Sequence, residues 1–263
     1  MLAAGLGTRM RRADPGASLD SGQAAAAAAG LKALVPVPRP FLDYVLSGLA
    51  DAGIGEVCIV TAPGESPIRK RYASMPPRRL RLSFAVQAEP KGTADAALAA
   101  EAFASGSDFL LLNSDNYYPV SAYRALLELE GPGLPVFDRE KLVAHGNIST
   151  ERVNRYAALR VAPDGFMARI EEKPAAPAAL ASSEPVLLSM NLWRFSGAIF
   201  EACRRVRPSE RGELELPQAV QYGIEELGLR FRAVPCEEVV LDLSTRADVA
   251  SVARRLRGVE VRL

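Results

Sequence analysis

From Met1 to Phe137 the chain alternates short apolar runs with stretches of helical spacing, and few architectures accept that order. Glu56–Thr61, Leu82–Gln87 and Asp108–Asn113 read as buried strands, bounded by glycine, proline or polar residues. Between and after them, Phe41–Ala52, Ser66–Met75, Thr93–Ala104 and Ser121–Glu130 read as helices; Phe41, Val45, Leu46 and Leu49 share one face of the first. Asp108–Asn113 (D-F-L-L-L-N) is apolar without alternation, as a strand covered on both faces of a parallel sheet must be. Pro135–Phe137 adds a further short strand. Strand–helix alternation of this kind predicts an α/β fold of doubly wound type, with ligands at the carboxyl ends of the strands.

Beyond Phe137 the pattern changes. Tyr156–Val161 and Phe166–Glu172 read as a hairpin around Pro163-Asp164-Gly165, followed by a Pro/Ala loop at 174–185. Val186–Phe195 reads as a longer strand, Gly197–Arg205 and Leu216–Leu227 as helices, Phe231–Val234 and Glu238–Leu241 as strands, and Arg246–Leu256 as a final amphipathic helix. We expect one domain over 1–263, with one half at about 1–137 and a second half at about 138–263. No hexapeptide period is present, so no β-helix domain is expected at the C-terminal end.

Composition narrows the function classes. A net charge of +1 gives no electrostatic case for nucleic acid or an anionic membrane. The single histidine, His145, argues against a His-dependent triad or a multi-His metal site, and its place before Gly146-Asn147 suits a solvated loop. Three scattered cysteines match no metal spacing and suit a reducing compartment. No apolar run approaches the roughly 20 residues needed to span a bilayer. With no visible signal peptide, a cytoplasmic setting is expected.

Four features fall at the predicted carboxyl edge. Met1-Leu2-Ala3-Ala4-Gly5-Leu6-Gly7-Thr8-Arg9-Met10 reads as a strand running into a glycine turn, where Thr8 and Arg9 offer donors to an anion. G-x-G alone is equally an ordinary tight turn with a solvated arginine. Only four residues precede the turn, so either this strand is clipped or the start lies late. Gln87, ending a strand before Gly92-Thr93, offers an amide to a base edge, or is a solvated strand end. Asp115, in Asn113-Ser114-Asp115-Asn116, is a hard oxygen ligand suited to Mg²⁺, or a turn residue. Asp242 follows another short strand and offers a second carboxylate for the same metal. Residues 11–30 read as a loop with a short helix at Gln23–Ala29, either a lid or a disordered insertion.

In order, L-A-A-G-L-G-T-R-M at 2–10, K-A-L-V-P-V at 32–37, Q-A-E-P-K-G-T-A-D-A at 87–96, N-S-D-N at 113–116, E-E-K-P at 171–174, the segment around Asn191, G-E-L-E-L-P at 212–217 and L-D-L-S-T-R-A-D at 241–248 resemble the nucleotidylyltransferases that make nucleotide sugars. The resemblance covers almost the whole chain. It implies a three-layer α/β sandwich with a mixed, mainly parallel Rossmann-like sheet. It implies an NTP and a sugar 1-phosphate as partners, Mg²⁺ as cofactor, and pyrophosphate as product. Leu2, Ala3, Gly5, Gly7, Thr8 and Arg9 would hold the triphosphate, with Lys32 on the reacting phosphates. Gln87 and Gly92, with Thr93 beside them, would read the base. Asp115 and Asp242 would hold Mg²⁺, Glu172 and Asn191 would meet the sugar, and Lys173 its phosphate. Homo-oligomers are also common by this resemblance.

This chemistry is mainly positioning and charge neutralisation, so scarcity of histidine does not count against it. Ser114 and Ala157 depart from the family pattern, as do Val240 and Ser244 in the late motif, which leaves the acceptor open. A phosphocholine or cyclitol phosphate acceptor, or a silent regulatory homologue, are the alternatives. Trp193 reads as core, and Arg69-Lys70-Arg71 with Arg78-Arg79 as a solvated basic face.

Overall fold

A computed structural model describes residues 1–172 and 185–263. The first strands are β1 (Glu56–Thr61), β2 (Arg81–Val86), β3 (Phe109–Leu111), β4 (Asn116–Tyr117) and β5 (Gly133–Asp138). Then come β6 (Ala157–Val161), β7 (Met167–Glu171), β8 (Leu187–Ser189), β9 (Trp193–Phe195), β10 (Arg232–Cys236) and β11 (Leu241–Asp242). The helices are α1 (Thr8–Arg11), α2 (Ser21–Ala28), α3 (Phe41–Asp51), α4 (Pro67–Ser74), α5 (Thr93–Leu98) and α6 (Glu101–Ala104). They continue with α7 (Val120–Leu127), α8 (Arg139–His145), α9 (Thr150–Val153), α10 (Ile199–Arg205), α11 (Leu216–Leu227) and α12 (Asp248–Arg255).

The sheet is mixed. β1 and β2 pair parallel, and so do β5 and β10, whereas the order β3-β9-β5-β8-β6-β7 is built from antiparallel pairs. Leu2 joins the two parts by bridging in parallel to both Val60 and Asn113. Beside it, β1 and the 110–112 segment flank an apolar cavity of about 560 Å³. The parallel arrangement is therefore centred on the N-terminal segment, where the strand–helix alternation predicts it.

Two cores lie on opposite faces, which makes three layers. On one side α3, α4, α7 and α12 bury Phe41, Leu46, Tyr72, Leu126 and Val252. On the other α5, α10 and α11 bury Ala97, Phe200 and Val220. β5 shows the period of two that allows this: Leu134 and Val136 enter the second core and Phe137 the first. In α3 the side chains of Phe41, Leu42, Val45 and Leu46 are fully buried, each contributing about 1.5–3 kcal/mol relative to exposure. Trp193 is fully buried and stacks on Phe195 at 5.3 Å, a core residue as read from sequence.

Several elements differ from the sequence expectation. Thr93–Ala104 is two helices, broken at Ala99-Ala100. The 186–195 strand is interrupted after Ser189, because Asn191 takes a left-handed φ of 56°, which Asn tolerates better than most side chains. Residues 139–145 and 150–153 form α8 and α9, neither of which the periodicity marks; His145 ends α8 exposed. Within the 11–30 stretch, α2 is an ordered helix closed by an Asp20–Gln23 capping box, with Ala27 in the core. The loop expected at 174–185 lies outside the described residues except for Pro185. Among the described residues no helix is long and apolar enough to cross a membrane.

Candidate active site

The N-terminal segment is threaded between β1 and the end of β3. Leu2 N–H donates to Leu112 O at 2.8 Å and Ala3 N–H to Val60 O at 2.9 Å, while Leu2 O accepts from Ser114 N–H at 3.0 Å. These bonds bring the glycine turn to the strand end that carries Asp115. Gly7 has φ of 63°, and a Cβ there would stand 2.2 Å from Gly30 O. Only glycine fits, and this backbone contact ties residues 30–32 to the turn. Lys32 follows in a short 3₁₀ turn, and its Nζ meets Asp115 Oδ2 at 2.7 Å.

The opposite wall is the segment after β2. Gln87 is buried, and its Nε2 donates to Gly92 O at 2.9 Å and Asp95 Oδ2 at 2.8 Å. That leaves Oε1 as the acceptor an incoming group would meet. Gly92 has φ of 120° and lies on Leu214, where a Cβ would stand 2.5 Å from the carbonyl oxygen. The 212–217 motif clasps this loop: Leu214 N–H donates to Lys91 O at 2.7 Å, Ala94 N–H to Leu214 O at 2.9 Å, and Leu216 N–H to Thr93 Oγ1 at 2.8 Å.

Between these walls is a cleft of about 480 Å³. Leu2, Ala3, Gly5, Thr8, Lys32, Gln87, Gly92, Thr93 and Asp115 line it, all nine marked by sequence. The remaining candidates stand elsewhere. Gly7 lies beneath the turn, against Gly30. Arg9 is exposed in α1 and has no hydrogen bond or ion pair among the described residues. Glu172 lines a separate hollow with Arg211 and Gln218. Asn191 turns its Oδ1 toward Trp193 Nε1 at 3.4 Å. Lys173 lies outside the described residues.

Asp242 is close in fold and different in setting. β11 pairs antiparallel with β4, placing Asp242 opposite Asn116. Its carboxylate is buried and accepts from four donors. Asn116 Nδ2 (3.3 Å) and Ser244 Oγ (3.0 Å) meet Oδ1; Tyr156 Oη (2.7 Å) and Arg152 Nη2 meet Oδ2. Asn147 clamps its backbone on both sides, at 2.9 Å and 2.7 Å. Arg152 also pairs with Asp248 through Nη1. Burial and the nearby Asp115 charge raise the Asp242 carboxyl above its ordinary value, with Arg152 opposing. Burial would lower the Arg152 guanidinium, but Asp242 and Asp248 outweigh it and raise the group. Burial, then Asp242, pushes Tyr156 well above the usual tyrosine range.

Sequence reasoning missed this shell of Asn116, Asn147, Arg152, Tyr156 and Asp248, and noted Ser244 only as a departure. The only local trace is Asp248, which accepts from Thr245 N–H at 2.7 Å and Ser244 N–H at 3.0 Å at the start of α12. Among the described residues there is no group of three or more His, Cys, Asp or Glu arranged for a metal.

The chain is similar to known proteins. The glucose-1-phosphate thymidylyltransferase of Actinoplanes sp. is 28% identical over 234 residues, covering 87% of this chain and 72% of the relative. The UTP–glucose-1-phosphate uridylyltransferase AglF of Haloferax volcanii is 26% identical over 258 residues, covering 98% and 95%. Some relatives are longer: the chain spans 52% of the Haloferax volcanii nucleotidyltransferase Agl11. The fold matches a crystal structure of UDP-glucose pyrophosphorylase complexed with UDP-glucose, with TM-score 0.69, 16% identity, and coverage of 97% of this chain and 96% of that one. A family model described as "Nucleotidyl transferase" matches residues 28–234, and this chain belongs to that family.

Proposed function

We propose that the protein transfers a nucleotidyl group from an NTP to a sugar 1-phosphate, releasing pyrophosphate. The observation that carries this is the convergence of the N-terminal turn, Lys32, the Gln87–Thr93 loop and Asp115 on one cleft. The names of the relatives, thymidylyl- and uridylyltransferases acting on glucose 1-phosphate, support the acceptor class.

In this reading an oxygen of the sugar phosphate attacks the α-phosphorus. The bond from that phosphorus to the bridging oxygen breaks, and pyrophosphate leaves with the electron pair. The acceptor is already ionised, so no side-chain base is required. The protein supplies positioning and positive charge. Backbone N–H groups around Gly5–Thr8, with Arg9 and Lys32, meet the phosphates. The Gln87 amide is oriented by Asp95, so its Oε1 accepts from a donor on the base edge. Glu172 and Asn191 are proposed for the sugar and Lys173 for its phosphate. A cytoplasmic setting suits three cysteines that form no disulfide.

Mg²⁺ fits part of the donor set. Asp115 faces the cleft with Oδ1 outside its Lys32 bond, a hard oxygen that would hold a cation. Bound there, the ion would supply a charge that polarises phosphoryl oxygens. The Asp242 oxygens already accept from four donors.

The test is pyrophosphate release across a panel of NTPs and sugar 1-phosphates. At least one pair is expected to turn over; folded protein inactive with every pair would overturn the proposal.

A further inference from the structure

We propose that Asp242 is a closed structural anchor, and that of the two aspartates only Asp115 offers an oxygen to a divalent cation in the cleft. This rests on the reading of the cleft as a phosphate site. A carboxylate has about four lone-pair positions, and each oxygen of Asp242 already receives two donors. For Asp242 to bind an ion, a donor must leave. Arg152 is pinned by Asp248 on its other nitrogen. The β4–β11 pairing holds the Asn116 backbone opposite Asp242, and the N–H bond to Asp248 holds the Ser244 backbone. Asn147 clamps the Asp242 backbone, so the residue does not swing toward the cleft as a unit. Asp115 contrasts at every point. It is about one-fifth exposed, lines the cleft, and among the described residues its carboxylate has one donor, Lys32. Lys32 comes from a different segment and has its own exposure to the cleft, so a phosphate can take it over.

The anchor has its own work. Through Asp242 the 147–156 stretch, the β4–β11 pair and the start of α12 are joined at one buried point. Leu243 N–H then donates to Asp115 O at 2.9 Å, so the strand that carries the anchor is also bonded to the backbone of the residue that faces the cleft.

The experiment is a titration of the full chain with Mn²⁺ alone, read by water-proton relaxation. It needs no nucleotide and no turnover, so its failure is separate from failure of the pyrophosphate assay. Asp115→Asn is expected to weaken Mn²⁺ binding at least about tenfold. Asp242→Asn is expected to lower the melting temperature and leave Mn²⁺ affinity within about threefold, a screened-charge effect. A loss of about tenfold or more in folded Asp242→Asn, or no Asp115-dependent binding at all, would overturn the proposal. If Asp242→Asn does not fold, the double variant Tyr156→Phe/Ser244→Ala decides. It frees one position on each Asp242 oxygen without altering charge. Tightening supports closure of Asp242 by these donors; unchanged affinity overturns it.

Discussion

Lys32 and Asp115 hold each other at 2.7 Å across the wall of the cleft, each about one-fifth exposed. They are placed where a polyphosphate would enter, and neither is needed to complete the core. Lys32→Met is therefore expected to keep the fold. It should lower kcat/KM for nucleotidyl transfer about 100-fold, near 2.7 kcal/mol of transition-state stabilisation. Steady-state kinetics with a matched melting curve checks both parts. Gly7 shows a different kind of single-residue demand. Its left-handed backbone costs about 1–3 kcal/mol for any other residue, and a methyl would strike Gly30 O at 2.2 Å. Gly7→Ala should lower the melting temperature and separate Lys32 from the turn, so nucleotide affinity falls with stability. Unchanged affinity by calorimetry would count against the Gly7–Gly30 contact as the link. The glycines were legible in sequence because their chemistry is local, and Lys32 through the resemblance of the K-A-L-V-P-V segment it opens. Arg152 was not, since nothing near it in sequence says that Asp242 and Asp248 will enclose it.

Among the elements, α1 is four residues long and has little hydrogen bonding of its own. Arg246 holds its C-terminal end, with Nε to Met10 O at 3.0 Å and Nη2 to Arg11 O at 3.4 Å. It thereby ties the late L-D-L-S-T-R-A-D segment to the turn that carries Thr8 and Arg9. Arg246→Ala is expected to raise KM for the nucleotide more than it lowers kcat, because Arg246 positions the turn without lining the cleft. An equal drop in kcat alone would argue against this. The N-terminal strand is the other informative element. It supplies hydrogen bonds only at Met1 to Ala3, beside the 560 Å³ cavity between Val57-Cys58 and Leu110–Leu112. An engineered apolar extension of about four residues ahead of Met1 should enter this space and pair with both neighbours. A rise in melting temperature of about 5 °C is expected, and a proline-containing extension should give none. Sequence spacing located these strands well. It missed α8 and α9, which are short and held by tertiary contacts, and the left-handed turn at Asn191 that splits one expected strand.

At the scale of the whole molecule, two cores on opposite faces of a mixed sheet leave the N-terminal amine fully enclosed, bonded to Cys58 O at 2.9 Å. Burial lowers this amine from 8.0 to about 6. The sequence alone determined the strand–helix order around the N-terminal segment, through local periodicity, and marked Gly5, Thr8, Gln87, Gly92 and Asp115 through the chemistry of glycine, hydroxyl, amide and carboxylate groups at strand ends; Leu2, Ala3 and Lys32 were marked by the resemblance of their motifs. Only the tertiary structure decided which of the two aspartates faces the cleft. Asp115 and Asp242 each follow a short apolar run, and they differ through what packs on them. Residues up to 126 positions away in sequence supply the donors that close one and leave the other open.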